Sequence, residues 1–332
     1  DLHYVQGRQL QSIFIGGGTP SLFSAAAIKT LLDGVAAQIP FADDIEITME
    51  ANPGTVEAGR FIGYQRAGVT RISIGVQSFQ PEKLQRLGRI HDPAQAIAAG
   101  LQAKQAGLRS FNIDLMHGLP EQSVSDALSD LQQAIAIAPP HLSWYQLTIE
   151  PNTAFGSRPP VLPEDETLWD IQEQGHQLLL DAGYRQYEIS AYAKPGFECR
   201  HNLNYWQFGD YLGIGCGAHG KITMPAEDRI IRTAKVKHPK GYLDPERAFL
   251  DQSWDVEDED RPFEYFMNRM RLFQPIPKAE FTARTNLPAE SVEAMFKRAY
   301  EQELLQQSET EWKVTELGHR YLNNLLTMLM EE

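Results

Sequence analysis

The stretch IFIGGGTPSLFS, residues 13–24, decides the fold because three glycines join the end of a β-strand to a helix-like segment. The turn lacks the Gly-Lys-Ser/Thr ending of a phosphate loop and the G-x-G-x-x-G spacing of a dinucleotide fingerprint. It offers bare N–H and C=O groups beside one hydroxyl, which suits an ammonium or carboxylate group at close range. The turn therefore predicts a ligand similar to an amino acid. A plain tight turn between strand and helix is the alternative.

Further runs of β-forming residues follow this turn, and each is succeeded by a segment with helical spacing. The β-forming runs are 12–17, 44–51, 71–78, 110–118 and 142–150, and the helical segments are near 25–38, 56–67, 92–106, 123–138 and 169–182. Alternation of strand and helix indicates βα units and a parallel sheet. The pattern predicts an α/β fold, with an open, partial βα barrel rather than a closed barrel of eight units.

Polar residues stand where several of the predicted strands end. Glu50, Gln77 and Asp114 are among them, and the ligand site of such a fold lies at the carboxyl ends of the strands. The two carboxylates can accept hydrogen bonds from ribose hydroxyls and from an ammonium group. Arg89, in RLGRIHDP, can grip a carboxylate in two places. Each residue alone is also consistent with a turn cap or an ordinary surface arginine, so the set carries the prediction.

The composition suggests three regions along the chain. We expect residues 1–195 to form the partial barrel, 196–250 to be an irregular linker, and 251–332 to be a smaller, mostly helical C-terminal domain similar to a winged helix. The linker contains the motif His-Asn-x-x-Tyr-Trp, at His201, Asn202, Tyr205 and Trp206. The imidazole of His201 can ligate iron and the aromatic rings can stack on a flat macrocycle. An aromatic core beneath a long loop is the alternative.

Composition also bounds the partners and the compartment. The 332 residues include 30 Lys and Arg against 44 Asp and Glu, a net charge of -14, which would repel a duplex phosphate backbone. We therefore expect no nucleic-acid partner. The two cysteines, Cys199 and Cys216, are too few for a disulfide framework. No apolar run has the length of a membrane span and no leader is recognisable, so we expect a cytoplasmic protein with reduced thiols.

Taken together, GGGTP, MEANP, GVQSF, RLGR, NIDLMHGLP and HNLNYW resemble the motifs of radical S-adenosylmethionine (SAM) proteins of the oxygen-independent coproporphyrinogen III oxidase-like family, and most closely its HemW-type haem chaperones. The resemblance extends over essentially the whole chain. It implies that SAM is bound by Gly17, Gly18, Thr19, Glu50, Gln77, Arg89 and Asp114. It implies that haem is bound by His201, Asn202, Tyr205 and Trp206, with His201 as the ligand of the haem iron.

The resemblance further implies a [4Fe-4S] cluster on a Cys-x-x-x-Cys-x-x-Cys loop after the first strand. Cys199 and Cys216 have the wrong spacing and lie in another region. No methionine precedes Met49, and the chain opens in what reads as the tail of an element. We therefore expect the first strand and the cluster cysteines to belong to a segment upstream of Asp1, with a natural relative that lacks the cluster as the alternative. The 332 residues alone are expected to assemble no cluster.

Three functions are consistent with this resemblance. The first is a haem chaperone that delivers haem to apoproteins, including apoproteins at the inner membrane surface, either as a monomer or as a homodimer. The second is an oxygen-independent coproporphyrinogen III oxidase, and the third is a radical SAM enzyme that acts on another substrate. The His-Asn-x-x-Tyr-Trp motif, which the oxidase pattern lacks, favours the chaperone.

Overall fold

The computed structural model describes residues 1–55 and 60–330, which divide into two compact units. The barrel unit comprises Gly7–His201, and the C-terminal unit comprises Asp1–Gln6 together with Asn202–Glu332. Among the described residues, no helix is both long and apolar enough to cross a bilayer.

The barrel unit is built on a seven-stranded sheet in the order β1-β2-β3-β4-β5-β7-β6. The strands are β1 (Leu10–Ile15), β2 (Phe41–Ala51), β3 (Arg71–Gln77), β4 (Ser110–His117), β5 (His141–Gln146), β6 (Arg185–Glu188) and β7 (Ala191–Ala193). Strands β1 to β5 pair in parallel, whereas β7 pairs antiparallel with both β5 and β6. The sheet curls into a half-barrel, which confirms the predicted open, partial βα barrel. The β6–β7 hairpin was not predicted because its strands are too short to show a clear period.

Helices follow the parallel strands. They are α1 (Ala25–Ala36), α2 (Arg60–Ala67), α3 (Pro81–Arg86), α4 (Pro93–Gln105), α5 (Val124–Ile137), α6 (Ala154–Ser157) and α7 (Asp165–Asp181). Side-chain caps fix where several of them begin: Asp92 and Ser123 each accept a hydrogen bond from the backbone three residues later and complete a capping box. The predicted start of the second helix, at 56–59, lies outside the described residues.

The parallel strands have one apolar and one polar face, because successive side chains point to opposite sides of a sheet. The apolar side chains are fully buried beneath the helices: Ile47, Met49, Ile72, Ile74, Ile113, Leu115, Leu142 and Trp144. The side chains that alternate with them are mostly polar and face the concave side: Glu46, Thr48, Glu50, Arg71, Ser73, Asn112, Asp114, His141, Ser143 and Tyr145. Each large apolar side chain buried on the helix side stabilises the fold by about 1.5–3 kcal/mol.

The C-terminal unit combines helices with two three-stranded antiparallel sheets, of order β10-β9-β8 and β11-β13-β12. After α8 (Arg200–Trp206), which begins in the barrel unit, its elements are β8 (His219–Met224), β9 (Arg229–Lys235), α9 (Pro239–Tyr242), β10 (Leu250–Asp255), α10 (Arg261–Arg269), β11 (Ile276–Pro277), α11 (Lys278–Thr285), α12 (Glu293–Glu301), β12 (Leu305–Gln307), β13 (Glu311–Val314), α13 (Glu316–Arg320) and α14 (Leu322–Met328). Short 3-10 turns occur at Leu2–Tyr4, Pro20–Leu22, Pro53–Thr55, Pro225–Glu227 and Ala289–Val292.

Residues 196–250, expected to be an irregular linker, contain α8, β8, β9 and α9. The description as irregular is therefore corrected. The glycines and aromatic residues of 200–220 masked the alternating pattern of the two strands that follow. The helices and small sheet beyond residue 255 pack around the rings of Phe266, Phe281, Phe296 and Trp312. This mixed composition agrees with the expected small, mostly helical domain.

Candidate functional site

The glycine turn after β1 presents its backbone to a carboxylate. The N–H of Gly17 donates a hydrogen bond to Oε2 of Glu50 at 3.1 Å. A Cβ at Gly16 would stand 3.1 Å from Cδ of Glu50 and 2.8 Å from Cε1 of Phe14, so a side chain there would collide with both residues. Gly17 and Gly18 have φ values of 80° and 62°, the left-handed region that favours glycine. Apart from the adjoining residues of the turn, no atom of a described residue lies within 4 Å of where their Cβ atoms would stand, which leaves space beside both residues.

Two carboxylates lie close together on the concave face. Burial raises the pKa of Glu50, and the nearby charge of Asp114 raises it further, while the Gly17 N–H acts in the opposite direction. Burial also raises the pKa of Asp114, against hydrogen bonds from Ser143, Asn112 and Ser73. Because both carboxylates are partly desolvated and repel each other, a cationic group bound between them would be stabilised.

Gln77 and Tyr145 extend this site along the ends of β3 and β5. Gln77 has a φ of 69°, which is uncommon for a residue other than glycine, and it accepts a 2.8 Å hydrogen bond at Oε1 from the Tyr145 hydroxyl. Burial raises the pKa of Tyr145 to about 12, and the charge of Asp114 contributes to the rise. Arg89 lowers the pKa of Tyr145 and Glu50 raises it. The Tyr145 hydroxyl therefore lies within electrostatic reach of its four charged or polar neighbours, Glu50, Gln77, Arg89 and Asp114. The sequence analysis did not include Tyr145.

Arg89 lies at the edge of the same group. Its Nη1 donates to Oδ1 of Asn52 at 3.4 Å, and its side chain is exposed. Thr19, which precedes the 3-10 turn Pro20–Leu22, follows the two glycines directly. The structure thus brings Gly17, Glu50, Gln77 and Arg89 to one rim at the carboxyl ends of the strands, with Gly18 and Thr19 in the adjoining turn. Asp114, which was expected at a strand end, lies three residues before the end of β4, within electrostatic reach of Glu50. We call this group the strand-end rim.

A buried carboxylate on α5 fixes the turn that follows Gln77. Asp130 accepts a hydrogen bond from the Ser78 hydroxyl at 2.6 Å and one from the Phe79 N–H at 2.8 Å. Burial raises the pKa of Asp130 to about 6, against these two hydrogen bonds. The left-handed conformation of Gln77 is therefore held by bonds to a neighbouring helix, a role that no local sequence signal indicated.

His201 lies in the first turn of α8 and packs against β1. Its Nδ1 is 3.2 Å from the Ser12 hydroxyl, and its ring stacks on Phe14 with 4.9 Å between the ring centroids. Its backbone N–H donates to Oε1 of Glu46 at 3.0 Å. Burial lowers the pKa of this imidazole, so the neutral form, which alone can bind a metal, dominates at neutral pH.

The other residues of the motif lie further along the same helix, and all are half-buried. Because an α-helix has 3.6 residues per turn, Tyr205 falls on the same face as His201, and Trp206 on the same face as Asn202. The Tyr205 ring stacks on Tyr211 at 4.4 Å. The guanidinium of Arg271 lies 4.3 Å from the centre of the Trp206 ring, whose buried Nε1 makes no hydrogen bond to any described residue.

The cysteines do not fit an iron–sulfur cluster. Cys199 is buried and its thiol donates to Oε1 of Glu46 at 3.4 Å, while Cys216 is exposed. Within residues 1–55 and 60–330, no three His, Cys, Asp or Glu side chains lie close enough to hold a metal ion. A [4Fe-4S] cluster bound by three cysteines needs more thiolates than this chain contains, so no chemical step is assigned through it.

The strand-end rim does fit the polar groups of SAM. Carboxylates at Glu50 and Asp114 can accept from an ammonium group and from hydroxyls, and Arg89 can donate to a carboxylate. The unobstructed backbone at Gly17 and Gly18 allows a ligand to approach closely.

Comparisons with known proteins agree with this geometry. Residues 2–131 match the Radical SAM superfamily, and residues 256–321 match the HemN C-terminal domain. The chain is 61% identical over 332 residues to the heme chaperone HemW of Escherichia coli (strain K12), an alignment that covers 100% of this chain and 87% of that protein. It is 59% identical over 328 residues to the heme chaperone HemW of Haemophilus influenzae, covering 99% of this chain and 85% of that protein.

The fold is also similar to that of a solved structure, the coproporphyrinogen III oxidase HemN from Escherichia coli, a radical SAM enzyme. The TM-score is 0.81 at 21% sequence identity, over 99% of this chain and 81% of that chain. This likeness concerns the fold alone, and it agrees with the predicted barrel of radical SAM type.

Proposed function

Because the chain belongs to the HemW family of radical SAM proteins, we propose that it binds haem and delivers it to haem-accepting apoproteins. The observation that carries the proposal is the neutral imidazole of His201, presented at the start of α8 and anchored by Ser12 and Glu46. Haem iron requires a ligand with a lone pair, and a neutral imidazole supplies one near pH 7.

The remaining motif residues support His201 in this proposal. Since Ser12 engages Nδ1, ligation of iron falls to Nε2. Tyr205 and Trp206 offer aromatic area for the macrocycle, and Asn202 positions the helix. The partial exposure of all four residues suits a protein that must also release its haem.

The strand-end rim is proposed to hold SAM. Glu50 and Asp114 accept from the ammonium group and the ribose hydroxyls, and Arg89 pairs with the carboxylate. Gln77, together with Gly17, Gly18 and Thr19, lines the remainder of the ligand. A cluster would supply the electron that breaks a carbon–sulfur bond at the sulfonium centre of SAM, and no such step is assigned to residues 1–332 because they contain two cysteines.

The setting of this function is part of the proposal. We propose that the protein works in the cytoplasm, that apoproteins at the inner membrane surface are among its recipients, and that a homodimer is one of its states. Nucleic acid is excluded from the proposed partners because the net charge is -14.

Haem titration followed by visible spectroscopy tests the assignment of the ligand. We expect His201→Ala to weaken haem binding or to change the spectrum of the bound haem. The variant should fold, because the hydrogen bond between His201 and Glu46 uses the backbone N–H. Two other donors serve as matched controls: His219→Ala and Cys216→Ser, both at exposed residues, should retain the wild-type affinity and spectrum.

Two results would contradict this proposal. If His201→Ala keeps the wild-type affinity and spectrum while one of the controls loses them, the iron ligand is another residue. If all three variants bind haem normally, the motif is structural and the chaperone function loses its main support.

A further inference from the structure

A continuous chain of hydrogen bonds, buried beyond its first member, connects Asp114 of the strand-end rim with the start of α8. Nδ2 of Asn112 donates to Oδ1 of Asp114 at 2.7 Å. Oδ1 of Asn112 lies 2.6 Å from Nδ1 of His141, and Nε2 of His141 lies 2.8 Å from the Tyr187 hydroxyl. The Tyr187 hydroxyl then accepts from the backbone N–H of Cys199 at 3.3 Å. We call Asn112, His141 and Tyr187 the relay.

Each hydrogen bond of the relay is donated in the same direction, from Tyr187 toward Asp114. The Ser143 N–H donates to Oδ1 of Asn112 at 2.9 Å, so the amide oxygen of Asn112 faces His141 and its nitrogen faces Asp114. His141 therefore carries its proton on Nδ1 and accepts at Nε2 from the Tyr187 hydroxyl. Burial holds the pKa of His141 well below its usual value, which keeps the ring neutral as this pattern requires. His141 and Asn112 are 0% and 1% exposed, so water does not compete for these bonds.

At its other end the relay meets residues that fix the first turn of α8. Oε1 of Glu46 accepts from the Cys199 thiol at 3.4 Å and from the His201 N–H at 3.0 Å. Oε2 of Glu46 accepts from the Arg200 N–H at 3.1 Å. Glu46 thus accepts hydrogen bonds from two of the backbone N–H groups that the first turn of a helix leaves without an acceptor inside the helix, and Tyr187 holds the residue immediately before it.

We propose that Asn112, His141 and Tyr187 are positioning residues that couple the strand-end rim to α8, so that a ligand bound at Asp114 changes the affinity of His201 for haem. Hydrogen bonds in such a chain polarise one another. A ligand that donates to Asp114 weakens the hydrogen bond from Asn112 to Asp114, and this in turn weakens the bonds from His141 to Asn112 and from Tyr187 to His141. By linkage, haem must change the affinity for the rim ligand by the same factor. The inference rests on the proposed function, since it takes SAM and haem as the two ligands.

The test removes one hydroxyl from the relay. Tyr187→Phe deletes the donor to His141 and the acceptor for the Cys199 N–H while keeping the ring. The matched control is Tyr184→Phe, also a buried tyrosine of the barrel unit, whose hydroxyl donates to the carbonyl oxygen of Pro139 outside the relay. The dissociation constant for haem is measured for the full 332-residue chain with and without saturating SAM, and the constant for SAM with and without haem.

We expect the two haem constants of the wild-type protein to differ by about fivefold or more, the usual lower range of coupling between sites. Tyr184→Phe should keep that ratio, whereas Tyr187→Phe should bring it to within about twofold of unity. If the role of Tyr187 were purely structural, Tyr187→Phe would change the stability and leave the ratio of the two haem constants intact. If Tyr187→Phe fails to fold, His141→Asn provides a second interruption, because its short amide can reach Asn112 but not Tyr187.

The outcomes separate this inference from the proposed function. A wild-type protein that binds both ligands with a ratio of unity overturns the coupling and leaves haem binding standing. Retention of the wild-type ratio in Tyr187→Phe likewise overturns the relay. A wild-type protein that binds no haem overturns the proposed function itself, and the coupling with it.

Discussion

Replacing Glu50 with Gln should weaken SAM binding without weakening the fold. The carboxylate of Glu50 accepts the Gly17 N–H at 3.1 Å, and the amide oxygen of Gln can accept the same bond. What the substitution removes is a negative charge. Burial and the neighbouring Asp114 charge raise the pKa of Glu50 in the folded protein, so at neutral pH its ionised form is less favourable than in the unfolded chain. Removing the charge should therefore leave the stability unchanged or higher.

The loss of affinity follows from the kind of hydrogen bond involved. A bond between an ammonium group and a carboxylate contributes about 1.5–3 kcal/mol, and a neutral bond about 0.5–1.5 kcal/mol. The difference of about 1–2 kcal/mol corresponds to an affinity for SAM that is about 5- to 30-fold lower. The affinity for SAM should thus fall while the stability stays the same or rises, as is common where a site keeps groups that the fold alone does not need.

Isothermal titration calorimetry with SAM and urea denaturation at pH 7 measure the two effects. Glu46→Gln is the matched control, because Glu46 lies on the same strand and face but binds the start of α8. Gln cannot reproduce all of its acceptor bonds, so this variant should lose about 1–2 kcal/mol of stability while its affinity for SAM alone stays within about twofold. An unchanged SAM affinity in Glu50→Gln, or a fall in its stability as large as that of the control, would refute the reasoning.

Two further predictions concern the cluster and the pH dependence of stability. The 332-residue chain, incubated anaerobically with iron and sulfide, should show no iron–sulfur absorbance and should not cleave SAM, because it contains two cysteines; stoichiometric bound iron and sulfide would contradict this. Burial lowers the pKa of His117 from 6.5 to about 4, so this residue stabilises the fold fully above pH 6.5 and progressively less as the pH falls toward 4. Between pH 7 and pH 5 the wild-type protein should lose about 2 kcal/mol more than His117→Leu in urea denaturation, and equal losses would show that His117 is not the titrating group.

Sequence reasoning located the strand-end rim because its residues stand at fixed positions relative to local patterns. Glu50 and Gln77 stand at or next to the end of a run of β-forming residues, and parallel strands bring such ends to one edge. Asp114 was placed with them although it lies three residues before the end of β4. Tyr145 and Asn112 were missed although the same runs contain a signal. Mostly polar residues at every second position of β2 to β5 indicate that one face of the sheet is not packed against helices. The sequence analysis used only the β-forming composition of these runs, as evidence for strands.

Other features depend on contacts that no local pattern encodes. His201 meets Ser12 across 189 positions of the sequence, and Cys199 meets Glu46 across 153. Whether an imidazole faces a carboxylate, a hydroxyl or solvent depends on the register of the sheet and on the path of the chain after α7. The short β6–β7 hairpin and the strands within 196–250 were missed for a related reason, since strands of three to seven residues carry few positions from which a period can be read.

The division of each of the strands β2 to β5 into an apolar and a polar face separates substitutions that affect the hydrophobic core from substitutions that affect ligand binding. Side chains toward the helices fill a close-packed interior, where the loss of one methylene group is felt throughout the core. Their immediate neighbours in sequence belong to a hydrogen-bonded surface that can be rewritten without rebuilding that interior. A point mutation at an apolar position of β2 to β5 therefore acts on how firmly the barrel holds together, whereas a change in what the barrel recognises has to come from the polar positions that alternate with them. Such a scaffold can acquire a new ligand by successive substitutions on its polar face while its apolar core stays unchanged.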